Sequence, residues 1–142
     1  MKNELIFIPL LAQVLLTAII WMVMYRTRIG EMRRKRIRPQ ALANTDTARG
    51  LLADVSGPAH NFSNLFEIPV LFYVATISIY VTELVSLIFI TLLGLFVVLR
   101  GIHSIIHITT NRVIQRFYVY LVSTSVLWLI WVLFAWHLFI EA

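Results

Sequence analysis

Residues 84–108 read LVSLIFITLLGLFVVLRGIHSIIHI. Apart from its histidines, this stretch has a single ionisable residue, Arg100. A run of this length and apolarity predicts an α-helix that crosses a lipid bilayer, because about 20 apolar residues span its hydrocarbon core. Further spans are predicted at residues 5–25, 60–81 and 117–140. The expected fold is therefore all-α, an integral membrane four-helix bundle whose single domain covers residues 1–142.

The composition supports a membrane protein. Apolar residues make up 60% of the chain and charged residues 13%, whereas a soluble domain has roughly 25% charged residues. The chain contains no cysteine, which excludes disulfides, thiolate catalysis by the protein and cysteine-ligated metal centres.

The first span resembles a secretory signal peptide in one respect, since Lys2 precedes an apolar run. The run is too long for a signal peptide, it has no small-residue cleavage site, and Arg26 and Arg28 follow it directly. We therefore expect a retained helix.

Residues 26–50 form the only long polar stretch, and we expect it to be a cytoplasmic basic loop. Its basic residues are Arg26, Arg28, Arg33, Arg34, Lys35, Arg36, Arg38 and Arg49. If this loop is cytoplasmic, Lys2 is the only one of the 12 lysines and arginines on the opposite side, as the positive-inside rule requires. The net charge of +5 is then an orientation signal, and no nucleic acid partner is expected. Both termini are predicted to be periplasmic, in a bacterial inner membrane.

Each of the last three predicted spans carries polar residues on one helical face. These are His60, Asn64 and Glu67; Arg100, His103 and His107; and Arg116 and Tyr120. Residues spaced three, four or seven apart share a face of a helix, and all three groups lie toward the predicted cytoplasmic ends. We therefore expect them to line one cavity. Pro69 follows the first group and predicts a local kink.

Three interpretations of these residues remain open. In a structural interpretation, Glu67 pairs with Arg100 or Arg116, and the histidines donate to backbone carbonyls. In a metal interpretation, His103 and His107 have ligand spacing, but the surrounding arginines repel a cation, so no metal is expected. In a binding interpretation, intramembrane charges mark a functional site. Arginines bind carboxylates, Asn64 offers an amide and Glu67 binds an ammonium group, a set that suits glutathione.

Two motifs resemble those of a known family. The first is His60-Asn-Phe-Ser-Asn64-Leu-Phe-Glu67-Ile-Pro69, and the second is Arg100-Gly-Ile-His103-Ser-Ile-Ile-His107, followed by Asn111-Arg112 and Arg116-x-x-x-Tyr120. They are similar to the second-span motif and the third-to-fourth-span motif of the MAPEG superfamily, the membrane-associated proteins in eicosanoid and glutathione metabolism. The resemblance covers essentially the whole chain.

The resemblance implies a homotrimer of four-helix bundles that binds glutathione between subunits near the cytoplasmic face. The glutathione-binding positions that it implies are Arg28, His60, Asn64, Glu67, Arg100, His103, His107 and Tyr120. It also implies that Arg116 is the catalytic residue, which stabilises the glutathione thiolate. An arginine beside a thiol favours the anion, which is the nucleophile.

The resemblance implies a glutathione-dependent transferase or peroxidase acting on lipophilic electrophiles dissolved in the bilayer. The sequence differs from the glutathione-using members at His60, where they have arginine, at His107, where many have tyrosine, and at Phe117, where some have serine. The alternative is a non-catalytic trimer of the same type that binds a lipid or acts as a membrane partner protein.

The charge distribution predicts a membrane topology that labelling can test. Because the chain has no cysteine, single cysteines at Gly30 and Ala142 can each be probed with a membrane-impermeant maleimide. We expect Ala142→Cys to react from outside intact cells and Gly30→Cys to react only after lysis. Labelling of Gly30→Cys from outside would contradict this orientation.

Overall fold

The computed structural model describes residues 3–140, and every regular element among them is a helix. Four helical stretches in this part of the chain are long and apolar enough to cross a membrane: Asn3–Arg34, Ala53–Val81, Leu87–Ile108 and Val113–Ile140. The predicted four-span, all-α class is confirmed. Lys2 and Ala142, which entered the topology prediction, lie outside the described residues.

The first span is longer than the sequence predicted. After a 3-10 turn at Asn3–Ile6, helix α1 runs over Phe7–Arg34, well beyond residue 25, where we expected it to end. Its 28 residues give about 42 Å, against about 30 Å of hydrocarbon. Arginine, glutamate and methionine are good helix formers in water, so the helix continues outside the bilayer until the chain approaches Pro39.

The end of α1 has the hydrogen bonds of a Schellman motif. The Ile37 N–H donates to the Met32 carbonyl at 2.9 Å, and the Arg36 N–H donates to the Arg33 carbonyl at 3.3 Å. Arg36 has a φ of +52°, a left-handed conformation that glycine usually adopts here and that costs a residue with a Cβ roughly 1 kcal/mol. Glu83 (φ +59°) occupies the same position after the second span.

The predicted loop at residues 26–50 therefore contains the end of α1 together with short helices. A 3-10 turn at Pro39–Leu42 precedes α2 (Thr45–Leu51), and another follows at Ala53–Val55. Asn44 caps α2, since its Oδ1 accepts from the Asp46 N–H at 2.8 Å.

A network of ion pairs connects this segment to α1. Lys35 Nζ lies 2.9 Å from Asp54 Oδ2 and 2.9 Å from Glu31 Oε1, and Arg34 Nη2 lies 2.6 Å from the same Glu31 oxygen. The hydrogen bond to Asp54, followed by that to Glu31, raises the pKa of Lys35. The buried Glu31 carboxylate is therefore paired with two cations, Arg34 and Lys35, at the end of α1.

The second span is broken into two helices, α3 (Ser56–Asn64) and α4 (Ile68–Val81). Pro69 has no N–H to donate and its ring clashes with the carbonyl four residues earlier. The sequence predicted a kink here, and the structure instead has a three-residue turn, with Glu67 at φ −99° and ψ −104°. The α-helical part of this span begins at Ser56, before the predicted residue 60, because Gly57 and Pro58 fit within the first turn of α3.

The remaining helices are α5 (Leu87–Ile108) and α6 (Val113–Ile140). Residues 26–55 and 109–112 lie at one end of the bundle, which we call the basic end. Helix α6 begins four residues before the predicted residue 117, so Arg116 lies in its first turn.

The break changes the neighbours of the second span. Before it, α3 packs on α1 and α5; after it, α4 packs chiefly on α6. Helix α3 runs antiparallel to α5, since Gly57 lies beside the His107 carbonyl, Asn61 beside Ser104, and Asn64 beside Arg100.

The apolar core lies in the half of the bundle away from the basic end. Its buried residues are Ile6, Phe72, Ala75, Ile79, Phe89, Leu93, Phe96, Leu127, Ile130 and Phe134. Phe72 and Phe96 stack with ring centroids 4.9 Å apart. Many leucines, isoleucines and valines on the outer faces of the helices are exposed, as expected for surfaces that contact lipid tails or other subunits.

The close contact of α3 with α5 depends on Gly57. A Cβ at this position would lie 3.2 Å from the His107 carbonyl oxygen, whereas a Cβ at Gly50 in α2 would meet nothing within 4 Å. Both glycines are helical, so alanine adds up to about 1 kcal/mol of helix propensity at each. We expect Gly57→Ala to have a lower midpoint of thermal unfolding in detergent than Gly50→Ala, because the clash with the His107 carbonyl offsets the gain in helix propensity. Equal midpoints would show that α3 and α5 separate at no cost.

Candidate functional site

Helix α5 carries four buried polar side chains near the basic end: Arg100, His103, Ser104 and His107. Together with Asn61, Arg116 and Tyr120 we call them the polar cluster. The antiparallel packing of α3 on α5, and of α6 against α5, brings them to one depth. Polar residues of three spans therefore meet within one chain, but the second span contributes Asn61 and not the side chains of the predicted His60, Asn64 or Glu67.

Arg100 connects α5 to the broken second span. Its side chain is fully buried, and Nη2 donates to the Asn64 backbone carbonyl at 3.1 Å. This carbonyl lies at the end of α3, where the helix no longer supplies a full set of N–H donors. Within residues 3–140, Arg100 Nε and Nη1 have no hydrogen-bond partner.

Tyr120 covers the buried guanidinium. The Arg100 Cζ lies 5.5 Å from the centroid of the Tyr120 ring, a distance at which the ring quadrupole attracts a cation. The His103 ring is 5.9 Å from the same tyrosine and 5.6 Å from His107. His103 Nδ1 is buried and unpaired among the described residues. The cluster thus holds unused hydrogen-bonding capacity as well as positive charge.

Arg116 reaches back from the first turn of α6 to the end of α5. Its Nη1 donates to Asn111 Oδ1 at 2.6 Å and lies 3.1 Å from His107 Nε2. Asn111 has a φ of +47°, a conformation that asparagine tolerates better than most residues. The same Nη1 lies 3.5 Å from His107 Nδ1, so the guanidinium is next to both ring nitrogens.

Among the polar residues that were not predicted as site residues, Asn61 and Gln13 are buried and Asn111 is exposed. Asn61 Oδ1 accepts from Ser104 Oγ at 3.2 Å, while Asn61 Nδ2 has no partner among residues 3–140. Asn61 lies one turn before Asn64, and that spacing is the signal that could have indicated it. Asn111 entered only as part of a motif. Gln13 is fully buried in α1 with both amide atoms unpaired, and its single polar position gave no pattern.

Arg28 and His60 lie in a cleft of about 580 Å³ at the basic end. Arg49 is the third basic residue of its wall, and Thr45, Ser56 and Ser63 contribute hydroxyl groups. We call it the basic cleft. The sequence analysis treated Arg49 only as a loop charge. Its place here follows from α2, which turns the chain back over α3.

Glu67 and the Asn64 side chain lie at the break in the second span. Glu67 is exposed, and no side-chain hydrogen bond or ion pair involves it in the described part of the chain. The structural interpretation required Glu67 to pair with Arg100 or Arg116, and it pairs with neither. The Asn64 side chain is half-buried. A free carboxylate therefore lies near the buried, incompletely paired guanidinium of Arg100.

The nine predicted site residues thus divide into three sets. The polar cluster contains Arg100, His103, His107, Arg116 and Tyr120; the basic cleft contains Arg28 and His60; and the break presents Asn64 and Glu67. All three sets belong to the basic end or the adjoining half of the bundle.

The fold and these residues define a multi-pass membrane protein with a buried, positively charged polar cluster at one end of a four-span bundle. The family model of the MAPEG family matches residues 6–136, nearly the whole chain. This chain is therefore a member of the MAPEG family. No curated protein and no solved structure matches it.

The incomplete pairing of Arg100 predicts an unusual response to mutation. Burying a guanidinium with no carboxylate partner costs several kcal/mol, which exceeds the roughly 1–3 kcal/mol from the hydrogen bond to Asn64. We expect ligand-free Arg100→Met to unfold thermally at or above the midpoint of the wild type. As a contrast, Ser104→Ala leaves Asn61 Oδ1 buried and unpaired, and we expect a loss of about 1–3 kcal/mol. A large loss of stability in Arg100→Met would show that its other nitrogens are paired in the assembled protein.

Proposed function

We propose that this protein is a glutathione-dependent transferase or peroxidase that acts on lipophilic electrophiles dissolved in the bilayer. The observation that carries this proposal is the buried guanidinium of Arg100, with two nitrogens unpaired within residues 3–140. A buried and incompletely paired cation lowers the stability of the fold, and such a cation is typical of a binding site. Membership of the MAPEG family supports glutathione as the ligand class.

The charges match the groups of glutathione. Its two carboxylates suit the guanidinium groups of Arg28 and Arg100, because arginine binds carboxylates with two parallel hydrogen bonds. Its ammonium group suits the free carboxylate of Glu67, and its amides suit the Asn64 side chain. His60 replaces the arginine of other glutathione-using members, and Arg49 supplies a guanidinium in the same cleft.

Arg116 is the proposed catalytic residue. Its guanidinium stabilises the thiolate that forms when the glutathione thiol releases its proton to water. The thiolate then attacks the electrophilic carbon, a C–S bond forms, and the leaving group departs with its bonding electrons. With a lipid hydroperoxide the thiolate instead attacks the peroxide oxygen. The O–O bond breaks, and the lipid alkoxide leaves and takes a proton from water to become the alcohol. A second glutathione then converts the sulfenic acid into disulfide and water.

The second substrate is expected to reach Arg116 from the bilayer. Phe117 and Tyr118, which follow Arg116 in the first turns of α6, are 55% and 60% exposed. They therefore present an apolar surface directly beside the proposed thiolate. A lipophilic electrophile partitions into such a surface without leaving the membrane.

The proposal includes a homotrimer, in which a neighbouring subunit completes the glutathione site. It is supported by the exposure of Glu67 and by the apolar outer faces of the helices. In the same proposal the basic end faces the cytoplasm of a bacterium, the inner membrane contains the protein, and both termini are periplasmic. The concentration of arginines at that end supports this orientation.

One observation favours the alternative function, a non-catalytic trimer that binds a lipid or a membrane partner protein. Arg116 Nη1 is already held by Asn111 Oδ1 at 2.6 Å and by His107. An arginine held in this way has a structural role as well, joining the end of α5 to the start of α6.

Substitution of Arg116 distinguishes the two functions. We expect Arg116→Ala to lower the rate of glutathione conjugation at least 100-fold, since one well-placed donor in the transition state is worth roughly 3 kcal/mol. Glutathione affinity, measured by calorimetry, should change much less. Arg112→Ala, which removes an exposed charge from the same loop, is the matched control and should keep its activity.

The contrary result is equally clear. If the wild type shows no turnover with any glutathione acceptor, and Arg116→Ala dissociates the purified oligomer, Arg116 is structural. The non-catalytic function would then replace the proposed one.

A further inference from the structure

A groove of about 440 Å³ lies at the end of α1 and is separate from the polar cluster and the basic cleft. Its wall combines apolar residues with arginines: Ile29, Met32, Arg33, Arg36, Ile37, Arg38 and Pro39. We call it the arginine groove. Neither the proposed glutathione chemistry nor the family motifs involve its residues.

The charges at the end of α1 are sorted between two faces. Arg34 and Lys35 are paired with Glu31 and Asp54. In contrast, Arg33, Arg36 and Arg38 have no side-chain hydrogen bond or ion pair to any residue from 3 to 140. The groove therefore presents three guanidinium groups whose charge no carboxylate of the described chain neutralises.

The depth of the groove matches the layer of lipid headgroups. Twenty residues counted from Phe7 cross about 30 Å of hydrocarbon, so the groove, which begins at Ile29, lies just beyond it. Ile29 lies about 5 Å beyond the hydrocarbon edge and the Arg33 backbone about 10 Å beyond it. The long arginine side chains can therefore reach back to the phosphates, while Ile29 lies nearest to the acyl chains. This combination is complementary to an anionic phospholipid.

The backbone of Arg36 provides independent support. Arg36 occupies the left-handed position of the Schellman motif, where glycine is the least strained residue. The hydrogen bonds of the motif involve only backbone atoms, so they do not require an arginine. Glu83 has the same conformation after the second span, so the strain supports a role for the Arg36 side chain because it coincides with the wall of the arginine groove.

We propose that the arginine groove binds the phosphate headgroup of an anionic phospholipid in the leaflet at the basic end. Arg33, Arg36 and Arg38 contact the phosphate oxygens with charge-assisted hydrogen bonds. Ile29, Met32 and Ile37 contact the glycerol and the upper acyl chain. This site is distinct from the proposed glutathione site and does not depend on it.

The test uses the full-length protein, stripped of lipid in detergent and examined by native mass spectrometry. The probes are phosphatidylglycerol and phosphatidylcholine with identical acyl chains. We expect the wild type to retain at least fivefold more phosphatidylglycerol than phosphatidylcholine. Arg36→Gly should abolish this preference while its midpoint of thermal unfolding stays equal to or rises above that of the wild type, because glycine relieves the backbone.

Arg112→Gln is the control, since it removes one exposed charge from the same end outside the groove, and it should keep the preference. The proposal is overturned if Arg36→Gly retains the preference, or if Arg112→Gln loses it equally, which would indicate a general surface charge. Inorganic phosphate that binds as tightly as the lipid would identify a site for free anions instead. A changed oligomeric state in Arg36→Gly would identify the groove as a subunit contact.

Discussion

The hydrogen bond from Arg100 to the Asn64 carbonyl joins the two features on which the rest of the bundle depends. It satisfies a backbone carbonyl at the break between α3 and α4, and it places a cation inside the protein. The break redirects the second span from α1 and α5 to α6. In a membrane each freed backbone group needs a partner inside the protein. The Asn64 carbonyl accepts from the Glu67 N–H as well as from Arg100, so the arginine supplements the turn at the break.

The apolar core and the buried charged residues lie in different halves of the bundle. The half that contains the apolar core, including the Phe72–Phe96 stack, supplies close packing. The half toward the basic end contains Arg100, His103 and Asn61, each with an unpaired buried atom. Such atoms lower stability in the free protein. Within residues 3–140, Gln13, Ser86 and Trp131 in the other half also have unpaired buried atoms, so the feature that distinguishes the half toward the basic end is the buried, incompletely paired cation of Arg100.

The basic end also shows that positive charge alone does not define a role for a residue. Lys35 holds the chain after α1 to its helix through Glu31 and Asp54. Arg28 lies in the basic cleft, and Arg36 lies in the arginine groove. These residues are close together in the sequence, and their different partners follow from where the acidic residues and α2 lie.

Apolar run length and charge placement were sufficient to predict four spans, the class of fold and the shared face of Arg100, His103 and His107 on α5. These properties depend on the helical period and on the cost of charge in hydrocarbon, both of which act locally along the chain. The motif resemblance also indicated the family. The predicted face of the second span was wrong at Glu67, which lies in the break outside α3.

Contacts between helices could not be read in this way. The pairing of Asn61 with Ser104, the capture of Arg116 by Asn111 and His107, and the complete break before Pro69 depend on how the helices cross. So does the division of the predicted site residues among cluster, cleft and break. A sequence period places residues around one helix axis, but the distance between residues on different helices is set by packing, by the register of α3 on α5 and by the turns that join them.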